Sequence, residues 1–264
     1  MRAHVLINAQ ENMPTLVRYS SAARHDKNFL KNIDLAKGSI IVFDSAYNDY
    51  KQYACFTEDE IIFVTRQKKS AVYRLGESFK IPDKTDSRVQ KDQEIFLTYK
   101  EDKQEKELPL RRIEYIDKLT GKSLVFITNS FELTAQEIAD IYKKRWQIET
   151  LFKQLKQNYP LKYFLGDNEN AIKIQIWVSM IANLLITLLK NKVKRKWAFS
   201  NLVSLVHTHL MAYINIYKFL ENPEKSWIVA NKSRKKCTKT HFSRCRWLIF
   251  KNQKTIFDFQ ILKI

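Results

Sequence analysis

The stretch YKKRWQIETLFKQLK at residues 142–156 lies inside the segment that decides the fold. Its apolar side chains continue a helical pattern that begins just upstream, and they are Ile138, Ile141, Ile148, Phe152 and Leu155. Positions three, four and seven apart share one face of a helix, so this set predicts a face that packs on a sheet. Thr134, followed three residues later by Glu137, has the pattern of a capping box. The sequence therefore predicts a helix over residues 135–156.

A second stripe runs beside the apolar face of this predicted helix. It follows the spacing +3, +4, +3 and +4, and its members are Tyr142, Arg145, Glu149, Phe152 and Lys156. Three charged side chains therefore project in line from one edge of the buried face. The alternative is structural, since Arg145 and Glu149 also have the spacing of an ordinary surface ion pair.

Asp44 is the second candidate for a functional carboxylate. It comes directly after the apolar run at residues 40–43, which predicts a buried strand, and the carboxyl ends of strands are where α/β sites form. A carboxylate at a strand end and another on a facing helix can share divalent cations, which activate the attacking oxygen and stabilise the leaving oxygen in phosphodiester chemistry. The alternative is that Asp44 is only a turn or cap residue.

These residues resemble a known family. The pattern Tyr142-x2-Arg145-x3-Glu149-x6-Lys156 is similar to the signature of the insertion-sequence-4 family of bacterial transposases. Further matches occur in the family's order at HD (residues 25–26), FDSAY (residues 43–47) and FVTR (residues 63–66). The resemblance covers roughly residues 3–190 and weakens beyond them.

The resemblance implies an α/β fold with a ribonuclease H-like core, interrupted by a β-rich insertion. It also implies an Asp-Asp-Glu triad that uses Mg²⁺ to cut and rejoin the ends of an insertion sequence. Asp44 matches the second acid and Glu149 the third, which makes both catalytic and metal-binding candidates. Tyr142, Arg145 and Lys156 match positions that contact DNA near the cleaved end. Ser45 and Ala46 stand where the family usually has Arg and Gly, which puts local phosphate contacts in doubt.

The first acid of the triad has no match in this sequence. Residues 4–9 and 15–19 predict a hairpin, residues 26–36 a helix and residues 39–44 a strand, and in this fold these elements follow the strand that carries the first Asp. The acids before Asp44 are Glu11, Asp26 and Asp34, in the predicted turn, helix start and helix. We therefore expect an N-terminal truncation, through a shortened reading frame or an upstream start, and impaired catalysis.

The predicted organisation has four parts. Residues 1–60 form the first part of the core, residues 61–130 the β-rich insertion, residues 131–190 the catalytic helix and the helix after it, and residues 191–264 a helical region with a basic tail. Strands are predicted at residues 61–65, 71–75, 94–99, 112–116 and 124–128. Later helices are predicted at residues 171–190 and 199–220.

Charge indicates a polyanionic partner. The formal net charge is +18, and residues 191–264 hold 16 Lys and Arg against 3 Asp and Glu. We expect the partner to be DNA, namely the terminal repeats of the element and its target, and the family resemblance allows a homodimer. Two alternatives remain open: a non-catalytic DNA-binding remnant of a transposase, and a basic RNA-binding protein that needs neither Asp44 nor Glu149.

A cytoplasmic location without membrane contact is predicted. The most apolar stretch, residues 174–189, is interrupted by polar side chains and is shorter than the roughly 20 residues that a bilayer requires, so it predicts a buried helix. The three cysteines are too few and too scattered for a disulfide framework, which fits a reducing compartment.

Overall fold

A single mixed sheet organises the N-terminal part of the computed structural model. The structure describes residues 2–11, 13–20, 29–31, 33–81, 88–101, 104–117, 121–161, 163–212, 214–225 and 261–263. The chain divides into two units, of which the first contains Met1–Thr150 with Thr255–Ile264 and the second Leu151–Lys254. The four-part division expected from the sequence stays a prediction.

The described residues of the first unit form nine strands. They are β1 (Arg2–Asn8), β2 (Met13–Ser20), β3 (Ile40–Phe43), β4 (Ile62–Arg66), β5 (Arg74–Ser78), β6 (Val89–Glu101), β7 (Gln104–Ile116), β8 (Ser123–Thr128) and β9 (Ile261–Lys263). Their order across the sheet is β2-β1-β9-β3-β4-β8-β7-β6-β5. The predicted hairpin is confirmed as the antiparallel pair β1 and β2. Four of the five strands predicted between residues 61 and 128 are also confirmed with shifted ends, whereas the one predicted at residues 71–75 overlaps β5 only at Arg74 and Leu75.

Two neighbours in this sheet run parallel and set the position of the candidate site. β3 pairs with β4 in parallel, with Phe43 opposite Thr65. β9 lies between β1 and β3, parallel to β1 and antiparallel to β3. Since parallel strands end at the same edge of a sheet, the residues that follow Phe43 and Thr65 emerge side by side.

Aromatic packing holds α1 (Tyr50–Glu58) against β3 and β4. Tyr53 and Phe63 are fully buried, and their ring centroids lie 4.4 Å apart in a stacked arrangement. Phe43 and Phe56 complete the group, with Phe43 5.8 Å from Tyr53. Burying a large aromatic side chain contributes on the order of 2–3 kcal/mol, so this cluster fixes the end of β3 firmly.

The prediction of a helix over residues 26–36 is wrong for those of its residues that the structure describes. Residues 26–28 and 32 lie outside the described residues, residues 29–31 form one 3-10 turn, and residues 33–36 have no regular structure. Phe29 and Leu30 are both buried, although they are adjacent in the sequence. A tight turn then follows, in which Ser39 N donates to Ala36 O and Gly38 adopts a φ of 78°. Gly tolerates this left-handed backbone, which ends any helix before it.

The long helix predicted at residues 135–156 is confirmed with one interruption. It consists of α2 (Ala135–Lys144) and α3 (Trp146–Asn158), and the Thr134–Glu137 capping box is present. Between them, Arg145 N donates to Tyr142 O and Ile148 N to Arg145 O, both across three residues. This tighter hydrogen bonding is typical of a 3-10 turn.

The second unit is helical where the structure describes it. It holds the end of α3 together with α4 (Glu169–Lys192), α5 (Phe199–His209) and α6 (Ile216–Glu221). The single helix predicted at residues 199–220 is therefore wrong, since it breaks before Asn215, whose side chain accepts from Lys218 N and caps α6. Asn favours this capping role over a helix interior because its side chain competes for backbone groups.

The interpretation of α4 as a buried helix is also wrong. Only 33% of its most apolar window is buried, and several of its large aliphatic side chains are exposed. By length and composition it is the one helix among the described residues that could cross a membrane, a test that core helices of soluble proteins also pass. Mean hydropathy over one stretch measures how apolar the stretch is and not what covers it, which is why the sequence misled here.

Candidate active site

Asp44 lies at the carboxyl edge of the sheet, as predicted. It is the first residue after β3, and its Oδ1 accepts hydrogen bonds from Ala46 N at 3.1 Å and from Ser45 Oγ at 3.2 Å. It thus caps the 3-10 turn Ser45–Tyr47, which is the structural role that the sequence left open. The side chain is half-buried, so capping leaves the carboxylate with access to solvent.

Arg66 is a neighbour of Asp44 that was not among the predicted site residues. It ends β4, and the parallel register that sets Phe43 opposite Thr65 brings Asp44 and Arg66 to the same edge. The signal was available in the sequence, because both apolar strands end at a charged residue. A guanidinium beside a carboxylate at an exposed sheet edge suits an anionic ligand such as phosphate.

Tyr142 links this edge to the candidate helix. Its side chain is buried, with the ring 4.8 Å from that of Phe126 on β8. Burial raises the pKa of Tyr142 to about 12, and the charges of Arg145, Asp44 and Arg66 act on it as well. The Asp44 carboxylate raises the pKa further while the two arginines lower it. α2 therefore brings Tyr142 within electrostatic reach of the residues that end β3 and β4.

Arg145 and Glu149 form an ion pair at helical spacing. It differs from the exposed surface pair considered in the sequence because the Arg145 side chain is buried. Arg145 Nη1 lies 2.8 Å from Glu149 Oε1, and the side chains are 6% and 35% exposed. While Nη1 is held by this ion pair, Arg145 Nε makes no hydrogen bond of normal geometry to a described residue, and neither does the Tyr142 hydroxyl. Unsatisfied buried donors are costly, so donors left in this state beside a partly exposed carboxylate are typical of a site that receives a polar ligand.

Lys156 is exposed on α3, seven residues after Glu149. The structure therefore brings the charges of Asp44, Arg66 and Arg145 within reach of Tyr142, and joins Arg145 to Glu149. Lys156 lies on the same helix as Glu149 and belongs to the second unit.

The described residues fit only part of a divalent metal site. They contain no group of three or more His, Cys, Asp or Glu that could hold a metal ion. Asp44 and Glu149 offer hard oxygen ligands of the kind that Mg²⁺ prefers, but one of the two is paired with Arg145.

A buried ion pair, also missed in the sequence, fixes the turn from which α2 begins. Arg111 on β7 donates from Nε and Nη2 to the two carboxylate oxygens of Asp92 on β6, at 2.8 and 2.7 Å. Its Nη1 donates to the backbone carbonyls of Ser130 and Leu133, just before the Thr134 cap. Both side chains are more than nine-tenths buried. The strands of the predicted insertion thus position the helix that carries Tyr142.

Comparison with known proteins identifies the family. The model of the family described as "Transposase DDE domain" matches residues 1–185. This range includes the ends of β3 and β4, where Asp44 and Arg66 lie, and all of α2 and α3. The chain belongs to the transposase DDE domain family. The resemblance seen in the sequence is thereby confirmed, and Asp44, Tyr142, Arg145, Glu149 and Lys156 all lie inside the matched range.

Three curated proteins are similar to this transposase domain. One from Sinorhizobium fredii, named as transposase y4zB, is 30% identical over 188 residues, which are 70% of this chain and 52% of that protein. One from Geobacillus stearothermophilus, named as a transposase for insertion sequence element IS5377, is 27% identical over 74% of this chain and 51% of its own length. A Synechocystis protein named as a transposase for insertion sequence element IS4SA is 54% identical over 54 residues, or 20% of this chain and 16% of its own.

The transposase domain thus spans about half the length of the two longer matches. Its family is one of DNA-cleaving and DNA-transferring enzymes that use divalent metal ions. The roles of the individual site residues stay predictions.

Proposed function

We propose that this chain supplies Asp44 and Glu149 as the second and third acids of an Asp-Asp-Glu triad, which cleaves and transfers DNA strands at the ends of an insertion sequence. The observation that carries the proposal is the packing of α2 on the sheet: Tyr142 contacts Phe126 of β8, which pairs with β4 beside the end of β3 that carries Asp44, and Arg145 at the end of α2 is paired with Glu149. Two acids on separate elements, a strand end and a helix, thereby belong to one charged cluster on what we propose is a ribonuclease H-like core.

Mg²⁺ would be held by the carboxylates of Asp44 and Glu149 together with the first acid of the triad and water. When bound, the metal activates the attacking oxygen and stabilises the leaving oxygen of a phosphodiester. Asp44 has a second oxygen that no described hydrogen bond uses, since both of its bonds are accepted by Oδ1. The turn Ser45–Tyr47 fixes the orientation of that carboxylate through the same two bonds.

Arg145 has a positioning role in this proposal. Its ion pair holds the Glu149 carboxylate in a fixed position on α3. If the Glu149 carboxylate held a metal, the buried guanidinium of Arg145 would be available to donate to a phosphate of the DNA. Tyr142, with a hydroxyl that lacks a partner of normal geometry, would donate to a neighbouring phosphate oxygen.

DNA binding would also use charge outside the site. Lys156 would add a phosphate contact on α3. Residues 191–264, with 16 Lys and Arg against 3 Asp and Glu, would add further phosphate contacts. Contacts of this kind depend on salt but not on sequence, so they would hold both the terminal repeats and the target. Since DNA is the proposed substrate, we expect the transposase to act in the cytoplasm of the bacterium that carries the element.

Catalysis by this chain alone should be impaired. Two carboxylates cannot build the two-metal geometry, and the loss of one member of such a catalytic unit lowers rates by several powers of ten. A segment that carries the first Asp would restore cleavage.

A second candidate is a DNA-binding remnant of a transposase without catalysis. The capping role of Asp44 and the ion pair of Glu149 favour it, because both carboxylates already have structural partners. In that case, Mg²⁺ would act on DNA binding only by screening charge.

The two candidates differ in how Mg²⁺ changes the affinity for duplex DNA. At constant ionic strength, the triad proposal expects Mg²⁺ to tighten binding to duplex carrying the terminal repeat, because a metal held by Asp44 and Glu149 would add positive charge next to the DNA phosphates. The double variant Asp44→Asn with Glu149→Gln should lose this gain and keep its metal-free, salt-sensitive binding. Glu132→Gln, which removes an exposed acid before α2, serves as the matched control. An equal response to Mg²⁺ in all three proteins would favour the remnant.

A further inference from the structure

A buried histidine connects the β1–β2 hairpin to the turn that follows Asp44. His4 on β1 is 2% exposed, and its Nδ1 lies 3.0 Å from the Tyr47 hydroxyl oxygen. Its Nε2 lies 2.8 Å from Ser20 Oγ at the end of β2. A hydroxyl group both donates and accepts, so both contacts are satisfied in either tautomer of the ring. Tyr47, which is also 2% exposed, ends the 3-10 turn Ser45–Tyr47 that Asp44 caps.

Aromatic packing fixes the position of the His4 ring. The ring stacks on Phe29, with centroids 5.0 Å apart and an angle of 21° between the planes. It meets the Tyr47 ring edge-on, at 5.9 Å and 79°. Phe29 and Tyr47 also contact each other, with their centroids 6.4 Å apart. Since each of these three buried rings packs against the other two, the hydrogen bond from His4 to Tyr47 has a defined direction.

The turn transmits the position of Tyr47 to Asp44. Tyr47 N donates to Asp44 O at 3.0 Å, and Ala46 N donates to Asp44 Oδ1 at 3.1 Å. Both bonds require the backbone of the turn to keep its 3-10 geometry, and the buried Tyr47 side chain anchors the end of that turn. The orientation of the Asp44 carboxylate therefore depends on an anchor that includes a side chain of β1.

We propose that His4 is a positioning residue for the candidate active site. Through its hydrogen bond to Tyr47 it holds the turn, and thereby the Asp44 carboxylate, in the orientation that binds metal. The proposal rests on the proposed function, in which Asp44 is a metal ligand. Groups behind a metal ligand keep it in its productive orientation, and loss of one typically lowers metal affinity roughly 10- to 100-fold.

A purely structural role of His4 would have a different consequence. If the contact served only to keep the hairpin on the sheet, its removal would lower stability without changing the metal site. Tyr47→Phe separates the two roles, because it keeps the ring that packs on His4 and Phe29 and removes only the hydroxyl. A matched control is Tyr50→Phe, which removes the hydroxyl of a half-buried tyrosine on α1, three residues further along the chain.

A titration of the whole chain with Mn²⁺, followed by electron paramagnetic resonance, tests the proposal. Both His4→Leu and Tyr47→Phe should raise the dissociation constant of the Asp44-dependent Mn²⁺ by roughly 10- to 100-fold, and Tyr50→Phe should leave it unchanged. His4→Asn, which keeps a hydrogen-bonding group near the place of Nδ1, should recover part of the affinity. Since His4 and Tyr47 act through one hydrogen bond, the double variant His4→Leu with Tyr47→Phe should lose no more affinity than either single variant.

Hydrogen exchange of the Ala46 amide tests the positioning without metal. Ala46 is exposed and its N–H is held by Asp44 Oδ1, so its exchange reports on the orientation of that carboxylate. Measured against the amides of β4, exchange should be about tenfold faster in Tyr47→Phe and unchanged in Tyr50→Phe.

The two measurements distinguish this proposal from the proposed function. Mn²⁺ affinity that depends on Asp44 but is the same in Tyr47→Phe and the wild type would overturn the positioning role and leave the proposed function intact. A wild-type chain that binds no Mn²⁺ through Asp44 would refute the proposed function. In that case the Ala46 amide decides, and equal exchange in Tyr47→Phe and the wild type would overturn the positioning role as well.

Discussion

Replacing Arg111 by Leu should destabilise the sheet unit severely. Arg111 and Asp92 are 9% and 7% exposed at the side chain and are joined by two hydrogen bonds of 2.8 and 2.7 Å. Removing one partner leaves a buried carboxylate without its countercharge, which costs about 3–5 kcal/mol. The same change also deprives the carbonyls of Ser130 and Leu133 of a donor. We expect a fall in the midpoint of thermal unfolding of roughly 6–20 °C for a unit of this size.

A matched control exists in the same sheet. Arg74 and Glu107 form an equivalent two-bond ion pair at 3.3 and 2.6 Å, but both side chains are more than half exposed. Arg74→Leu should leave the free energy of unfolding almost unchanged, because solvent screens an exposed pair. The assay is urea unfolding followed by circular dichroism for both variants. If Arg111→Leu loses no more stability than Arg74→Leu, the reasoning that burial makes the Asp92–Arg111 pair essential is refuted.

Three smaller predictions concern α2, Tyr142 and α3. Thr134→Ala removes the capping box with Glu137 and should lower the free energy of unfolding by about 1 kcal/mol, measured by urea unfolding. The fold raises the pKa of Tyr142 from 10.0 to about 12, so its contribution to stability is complete below pH 10 and is lost as the pH rises toward 12. Tyr142→Phe should flatten this alkaline loss, and an unchanged profile would argue against burial as the cause. Lys156→Ala should reduce the slope of log affinity for DNA against log salt by about 1, in a filter-binding titration.

The sequence predicted the elements whose signals are local. Thr134 and Glu137 predicted the start of α2, because a capping box depends only on two residues that are three positions apart. Asp44 could be placed at a strand end because a short apolar run before an acid is a local pattern, and Arg66 could have been found in the same way. The stripe of Arg145 and Glu149 followed from helical spacing alone.

Features that depend on distant partners were not predictable. The sequence gives no local signal for the insertion of β9 between β1 and β3, because a strand of three residues is defined by its neighbours. The burial of Arg111 and Asp92 arises from pairing between β6 and β7 and from the turn before α2. The exposure of α4 depends on what packs against it, which hydropathy does not record.

The central claim is that Asp44 and Glu149 hold the same divalent metal, and a titration of the whole chain with Mn²⁺ followed by electron paramagnetic resonance tests it most directly. Mn²⁺ stands in for Mg²⁺ because both prefer oxygen ligands. The account predicts a bound-metal signal that either Asp44→Asn or Glu149→Gln weakens at least tenfold, while Glu132→Gln leaves it intact. Metal binding that survives both substitutions, or that depends on one acid and not the other, would contradict a shared site.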